Sequence, residues 1–249
     1  MPSVPNSSAA PEVLLRVTGL TKTYRRVTAL DDVGFEVRNG EVLGVIGPNG
    51  AGKTTLFECL AGMMPRDAGI VRVNGDLLPA TQAGAHLFYL PDAIAPWPSQ
   101  PVGWALDFTV GFFGGRADRR DDVVRALNLD ALLDRRIGTL SKGQRKRAML
   151  AIGLLAPQPI LLVDEPFDGL DLRQTRDVSA AVRAHAADGR TIVLSIHQIS
   201  DAARVCDRFV LLSAGHVRGE GTLDELAAAA ETRGAHASHG LEEVFLALT

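Results

Sequence analysis

The sequence predicts an α/β fold: a mixed sheet core with a glycine-rich loop at its edge, an N-terminal antiparallel β subdomain and an inserted α-helical subdomain. Three observations carry that prediction. First, Val42-Leu43-Gly44-Val45-Ile46 reads as a buried strand and runs into Gly47-Pro48-Asn49-Gly50-Ala51-Gly52-Lys53-Thr54-Thr55, then into helical Leu56-Phe57-Glu58-Cys59-Leu60. Second, the apolar run Ile160-Leu161-Leu162-Val163 ends in Asp164-Glu165-Pro166, the pattern of a central parallel strand with acids at its carboxyl edge. Third, the texture changes after Pro91. Prolines 96, 98 and 101 surround Trp97, and helical stretches follow.

Met1 to Pro11 is small, polar and proline-rich, without the layout of a signal peptide, so residues 1–12 are expected to form a disordered tail. The main domain is expected over 13–231. Val13 to Val17 and Val33 to Val37 alternate as strands, the second turned by Asn39-Gly40. Ile70 to Val73 is a short strand ending at the Asn74-Gly75 turn, which places an antiparallel sheet beside the core. His86 to Leu90 reads as a strand stopped by Pro91. The helical subdomain is expected over about 92–150, with helices at Val102 to Phe113 and Asp118 to Asn128. Ser141 caps a helix to Leu155. Leu172 to Ala187 is helical, Thr191 to Ser195 a buried strand, and Phe209 to Leu212 with His216 to Arg218 a hairpin around Ala214-Gly215. Leu223 to Ala230 is a helix, and residues 232–249 a linker followed by the terminal helix Leu241 to Leu248.

Bulk composition narrows the class. The chain has 249 residues, 46% hydrophobic and 22% charged, which suits an ordinary globular domain. Its net charge of −3 does not point to nucleic acid. The basic cluster Arg135, Arg136, Lys142, Arg145, Lys146 and Arg147 lacks interleaved aromatics and reads as a solvated helix face near a phosphate. Cys59 and Cys206 lie in apolar patterns and read as core thiols. No apolar run reaches the length of a membrane span.

The chemistry concentrates at the glycine loop. Glycines let the backbone wrap a phosphate with its N–H groups turned inward, and the following helix adds the positive end of its dipole. In this pattern Lys53 reaches the β- and γ-phosphates, and the Thr54 hydroxyl ligates Mg²⁺. Asp164 can hold the same ion through its water shell. Glu165 beside it, not spent on the metal, can deprotonate a water, a role worth roughly 10²–10⁴ in rate.

Leu140-Ser141-Lys142-Gly143-Gln144 sharpens the class. With the glycine loop, Asp164-Glu165 and His197, all in the expected order, it resembles the ATP-binding-cassette (ABC) ATPases from about Val13 to the end. The resemblance implies an ATPase that binds ATP and Mg²⁺. It also implies a second cassette, in a homodimer, facing the first head to tail. Ser141, Gly143 and Gln144 of one copy would then meet the nucleotide held by residues 47–55 of the other. His197 matches the histidine that contacts the γ-phosphate, and Tyr24 the aromatic that stacks on adenine. Tyr24 also reads as an ordinary strand-end tyrosine. Gly169-Leu170-Asp171 matches a partner-contacting loop, although Asp171 is equally a helix cap.

Two positions depart from the family pattern. Where glutamine is usual after the strand ending at Leu90, Pro91 is followed by Asp92, which can reach Mg²⁺ or its water but cannot donate as an amide does. Lys142 replaces the usual signature glycine. Both features, and Leu241 to Leu246, resemble cassettes of the ABC-2 export branch. The resemblance therefore implies a separate integral membrane permease, a cytoplasmic chain held at the inner face of the membrane, and no nucleic-acid partner. Trp97 and Trp104 are candidate permease contacts or core residues. The competing classes, soluble cassettes of DNA repair or translation, call for coiled-coil arms or two cassettes in one chain; neither is seen here.

Overall fold

The computed structural model describes residues 12–115, 117–232 and 240–249. The expected N-terminal tail, apart from Glu12, and the expected linker at 233–239 lie outside the described residues. In chain order the elements are β1 (Val13–Tyr24), β2 (Val27–Arg38), β3 (Val42–Ile46), α1 (Lys53–Leu60), β4 (Ala68–Val73), β5 (Asp76–Leu77), α2 (Ala83–His86) and β6 (Leu87–Leu90). Then come α3 (Val102–Phe113), α4 (Ala117–Ala126), α5 (Lys142–Leu155), β7 (Ile160–Asp164), α6 (Leu172–Ala187), β8 (Thr191–Ile196) and α7 (Ile199–Val205). The chain closes with β9 (Arg208–Ser213), β10 (His216–Gly221), α8 (Leu223–Thr232) and α9 (Leu241–Leu248).

Two sheets form. One is antiparallel, in the order β2-β1-β4-β5; the other has six strands in the order β10-β9-β3-β8-β7-β6. In the second sheet all neighbours pair parallel except the β9–β10 hairpin. Its central strands are apolar at nearly every position because both faces are covered. Val42 and Ile46 point into a core shared with the helices, while Leu43 and Val45 point into a core shared with the antiparallel sheet and α1. Leu161 and Val163 against Ile160 and Leu162 repeat the division one strand further on.

Several elements differ from the sequence reading. β1 and β2 run 12 residues each, longer than the alternating cores indicate, because residues beyond them pair across the strands, Lys22 with Leu30, Thr23 with Thr28 and Tyr24 with Val27. Asn39-Gly40 does not close a hairpin; it sends the chain from one sheet to the other. His86 ends the short helix α2 and does not begin β6. α7 was not anticipated, since its seven residues follow His197 without an obvious cap. Both cysteines are free thiols: Cys59 is buried, as expected, and burial pushes its pKa up to about 11, whereas Cys206 is partly buried against the core.

The helices α3, α4 and α5 pack together, tied at the base by an antiparallel bridge between Pro101 and Arg136. The basic cluster does not form one solvated face. Arg147 is buried and donates to the carbonyls of Leu127 and Asn128 at 2.8 and 3.1 Å. Lys146 is nearly buried as well. An outer ladder of aromatics remains: Trp97, Trp104, Phe108 and Phe112 are exposed, with ring centroids 5.1–6.0 Å apart along it. The last three sit four residues apart on α3, so they share a helical face.

Candidate active site

Three adjacent strands deliver the site. β3 ends at the glycine loop, β7 at Asp164, and β8, between them, at Ser195 and Ile196 just before His197. Their carboxyl ends form one edge, where open α/β sheets place ligands.

Two glycines of the loop have no substitute. A Cβ on Gly47 would fall 2.3 Å from the Leu212 carbonyl oxygen. Gly52 has φ 108° and would meet the Ala29 oxygen at 2.6 Å. Gly52 immediately precedes α1, so the loop feeds directly into a helix N-terminus whose first N–H groups have no partner within the helix. The Lys53 ammonium lies inside the curve, donating to the Gly47 and Pro48 carbonyls at 2.7 and 3.3 Å. It also stands 3.3 Å from Glu165 Oε1.

Asp164 is almost fully buried and held on every side. Thr54 Oγ1 donates to its Oδ2 at 2.8 Å, the Tyr89 hydroxyl approaches the same oxygen at 3.4 Å, and Ser195 Oγ donates to Oδ1. Burial and the neighbouring Asp164 carboxylate push the Tyr89 phenol well above its ordinary range, so it stays a donor. The paired hydroxyl and carboxylate oxygens of Thr54 and Asp164 suit magnesium, a hard cation that in nucleotide sites takes one or two protein oxygens and fills its shell with phosphate and water. Among the described residues no group of three or more His, Cys, Asp or Glu is placed to hold an ion.

Glu165 adopts φ 50°, a left-handed conformation that L side chains seldom take and that costs of order 1–3 kcal/mol. Its N–H is satisfied by the Ser195 carbonyl and hydroxyl at 3.2 and 3.1 Å. The resulting turn aims the carboxylate into the cleft, where Oε1 faces Lys53 and Oε2 takes a hydrogen bond from His197 Nδ1.

The remaining sequence candidates lie at different distances from this cluster. Pro48, Asn49, Gly50, Gly52, Lys53, Thr54, Thr55, Asp92, Asp164 and Glu165 line one cleft of about 340 Å³. Asp92 reaches it, but its carboxylate pairs with Lys146. Ser141, Gly143 and Gln144 do not line it. Ser141 and Gln144 instead cap α5 reciprocally, Gln144 N–H to Ser141 Oγ at 3.3 Å and Ser141 N–H to Gln144 Oε1 at 3.0 Å. Gly143 is pressed against Gly169 and Gln174, and Lys142 is paired with Asp168. That pairing holds Asp168 below the usual carboxylate range. Asp171 caps α6 through Gln174 N–H at 2.8 Å. Tyr24 ends β1, exposed, with the Lys22 ammonium 5.6 Å from its ring centroid.

Sequence reasoning missed Ser195, Tyr89 and Lys146. Ser195 was within reach of it: once β7 and β8 are paired in parallel, Asp164 stands opposite Ser195. Tyr89 and Lys146 carry no local signal and are brought in by packing.

With this geometry in place, comparison with known proteins is informative. A family profile described as ABC transporter matches residues 30–168. The lipopolysaccharide export system ATP-binding protein LptB of Escherichia coli K12 is 31% identical over 221 residues, covering 85% of this chain and 92% of the relative. The hemin import ATP-binding protein HmuV of Thermobifida fusca is 34% identical over 236 residues, covering 87% of this chain and 80% of the relative. A solved ATP-binding subunit of an ABC transporter superposes with a TM-score of 0.83 at 28% identity, over 94% of this chain and 99% of the other.

Proposed function

This chain belongs to the ABC transporter family as an ATP-binding subunit that hydrolyses ATP to drive transport, and we propose that it powers export through a separate membrane permease. The cluster of Lys53, Thr54, Asp164, Glu165 and His197 at one sheet edge is the observation that carries the assignment of roles. In this reading residues 47–55 cradle the phosphates through main-chain N–H groups, and Lys53 neutralises charge on the terminal phosphate. Thr54 and Asp164 would hold Mg²⁺, with Asp92 near enough to the cleft to act on its water shell. When bound, the ion shields the charge of the β- and γ-phosphates. Glu165 accepts the proton of the attacking water. His197, donating through Nδ1, keeps the Glu165 carboxylate oriented and faces the γ-phosphate. Tyr24 stacks on adenine.

Ser141, Gly143 and Gln144 belong to a second copy's site in this proposal. The α5 N-terminus is capped internally yet does not line the cleft of its own chain, so a head-to-tail homodimer is the arrangement that uses it. The cassette then spans 13–231 with its helical subdomain over about 92–150, and residues 232–249 form an appendage. No helix among the described residues is long and apolar enough to cross a membrane, so the membrane path is assigned to the permease. Trp97 and Trp104, extended by Phe108 and Phe112, offer an apolar strip for its cytoplasmic segment. In this arrangement the chain sits at the inner membrane face. Export is favoured by Asp92 and Lys142, which resemble export-type cassettes, and by the similarity to LptB.

The test is purification from detergent-solubilised membranes, reconstitution with the co-purifying multispan protein, and measurement of ATP-driven flux in vesicles. ATP-dependent movement from the cassette side outward supports export, and movement toward the cassette side overturns it.

A further inference from the structure

Lys146 carries a charge into a place almost closed to solvent, its side chain only 10% exposed. Three oxygens meet the ammonium there. Asp92 Oδ1 is its ion-pair partner, the Glu165 carbonyl accepts a second N–H, and the Asp164 carbonyl lies 3.4 Å away. An ammonium has three N–H bonds to give, so this set occupies it. The acceptors come from separate parts of the fold. Asp92 follows β6 and lines the nucleotide cleft, the carbonyls belong to the turn that ends β7, and Lys146 itself stands in the first turns of α5.

The turn at Glu165 needs such support. Its φ of 50° is unfavourable for a residue with a Cβ, and its carbonyl is held by Lys146 and by Asp168 N–H at 3.3 Å. With the Glu165 N–H held by Ser195 and the Glu165 carbonyl held by Lys146, the main chain is fixed on both sides of the Cα, and with it the direction in which the side chain leaves. We propose that Lys146 is a positioning residue for ATP hydrolysis, tying the Asp92 loop to the main chain of Glu165 so that the carboxylate keeps its aim while the loop is seated. The inference rests on the proposed role of Glu165. It also makes the loop's position felt at the hydrolytic centre. Drawing Asp92 away leaves a nearly buried ammonium without a counter-charge, and the turn responds.

The test uses the full chain and four variants, Lys146→Met, Lys146→Gln, Asp92→Asn and the double Asp92→Asn/Lys146→Met, with kcat, KM and calorimetric ATP affinity for each. Lys146→Met is expected to lower kcat by about 10- to 100-fold, the scale of misplaced reacting groups, with affinity and KM within about threefold. Lys146→Gln keeps a donor for the carbonyls and loses less. Asp92→Asn loses less again, and the double variant matches Lys146→Met alone because both remove one shared tie. A folded Lys146→Met with the parent kcat, a raised KM with kcat intact, or additive losses in the double variant overturns the proposal. Should Lys146→Met fail to fold, Lys146→Gln carries the same comparison, and a parent kcat there also overturns it. Glu165→Gln separates the two levels. Full turnover in that variant removes Glu165 from its role, whereas full turnover in Lys146→Met beside an inactive Glu165→Gln removes the tie alone.

Discussion

His197 Nδ1 donates to Glu165 Oε2 while Lys53 faces Oε1 of the same carboxylate at 3.3 Å. One acid is thereby held between two basic groups, one opening α1 and one following β8. In the proposed reading phosphate claims Lys53, and the carboxylate is left to its histidine and the attacking water. Glu165→Gln preserves shape and hydrogen bonding but accepts no proton. It is expected to lower kcat by about 10²–10⁴ with ATP affinity within about threefold. Single-turnover kinetics and calorimetry check the split, and an undiminished rate excludes the role.

Lys53 sits with its ammonium inside the loop, already directed by two carbonyls. Its loss removes charge-assisted bonds to phosphate worth about 1.5–3 kcal/mol. Lys53→Ala should therefore bind ATP about 10- to 100-fold more weakly. Equal affinity in titration calorimetry excludes the cradle.

Ser195 holds Asp164 Oδ1 and also accepts the Glu165 N–H, so one hydroxyl braces both acids. Ser195→Ala leaves the buried Asp164 Oδ1 without its hydroxyl donor, at a cost of about 1–3 kcal/mol, while the Glu165 N–H keeps the Ser195 carbonyl. A melting point lower by several degrees and a reduced kcat are expected together. An unchanged melting point and rate would show that Asp164 is held adequately by Thr54 and Tyr89.

His185 lies far from this chemistry, on α6, its Nδ1 2.9 Å from the Ala181 carbonyl. Burial holds its pKa below the ordinary value of about 6.5, reinforced by Arg190 and Arg119 and opposed by the Ala181 bond and Asp188. The unfolded chain therefore takes up this proton first on acidification. The stabilisation is complete above about pH 6.5 and declines as pH falls below it. Urea midpoints at pH 7.5 and 5.5 should differ less for His185→Gln than for the parent chain. An identical difference removes His185 from the acid response.

Much of the fold is written in local pattern. α3, α6, α9 and the strand β3 run over the residues that their periodicity and punctuation indicate, because helix caps and apolar runs act through near neighbours. The glycine loop is legible for the same reason: its spacing, helix and lysine are contiguous. α7 and the long ends of β1 and β2 are not, since their residues take shape from what they pair with. The basic cluster is the clearest mismatch. Lys146 and Arg147 are neighbours of solvent-type residues in sequence and nearly buried in space. Only the packing of α5 against β7 and the helical region decides that.

From the chain alone, then, came the class of protein, through the order of its motifs, and the glycine loop and the strand ending in two acids, because each of these is encoded by consecutive residues. What waited for the tertiary structure was the relation among them. Asp164 meets Thr54 and Ser195 only because β8 lies between β3 and β7, and Glu165 meets His197 only because its main chain turns left-handed there. Contacts between residues 30 to 110 positions apart carry no local signature, since they are set by strand order and burial.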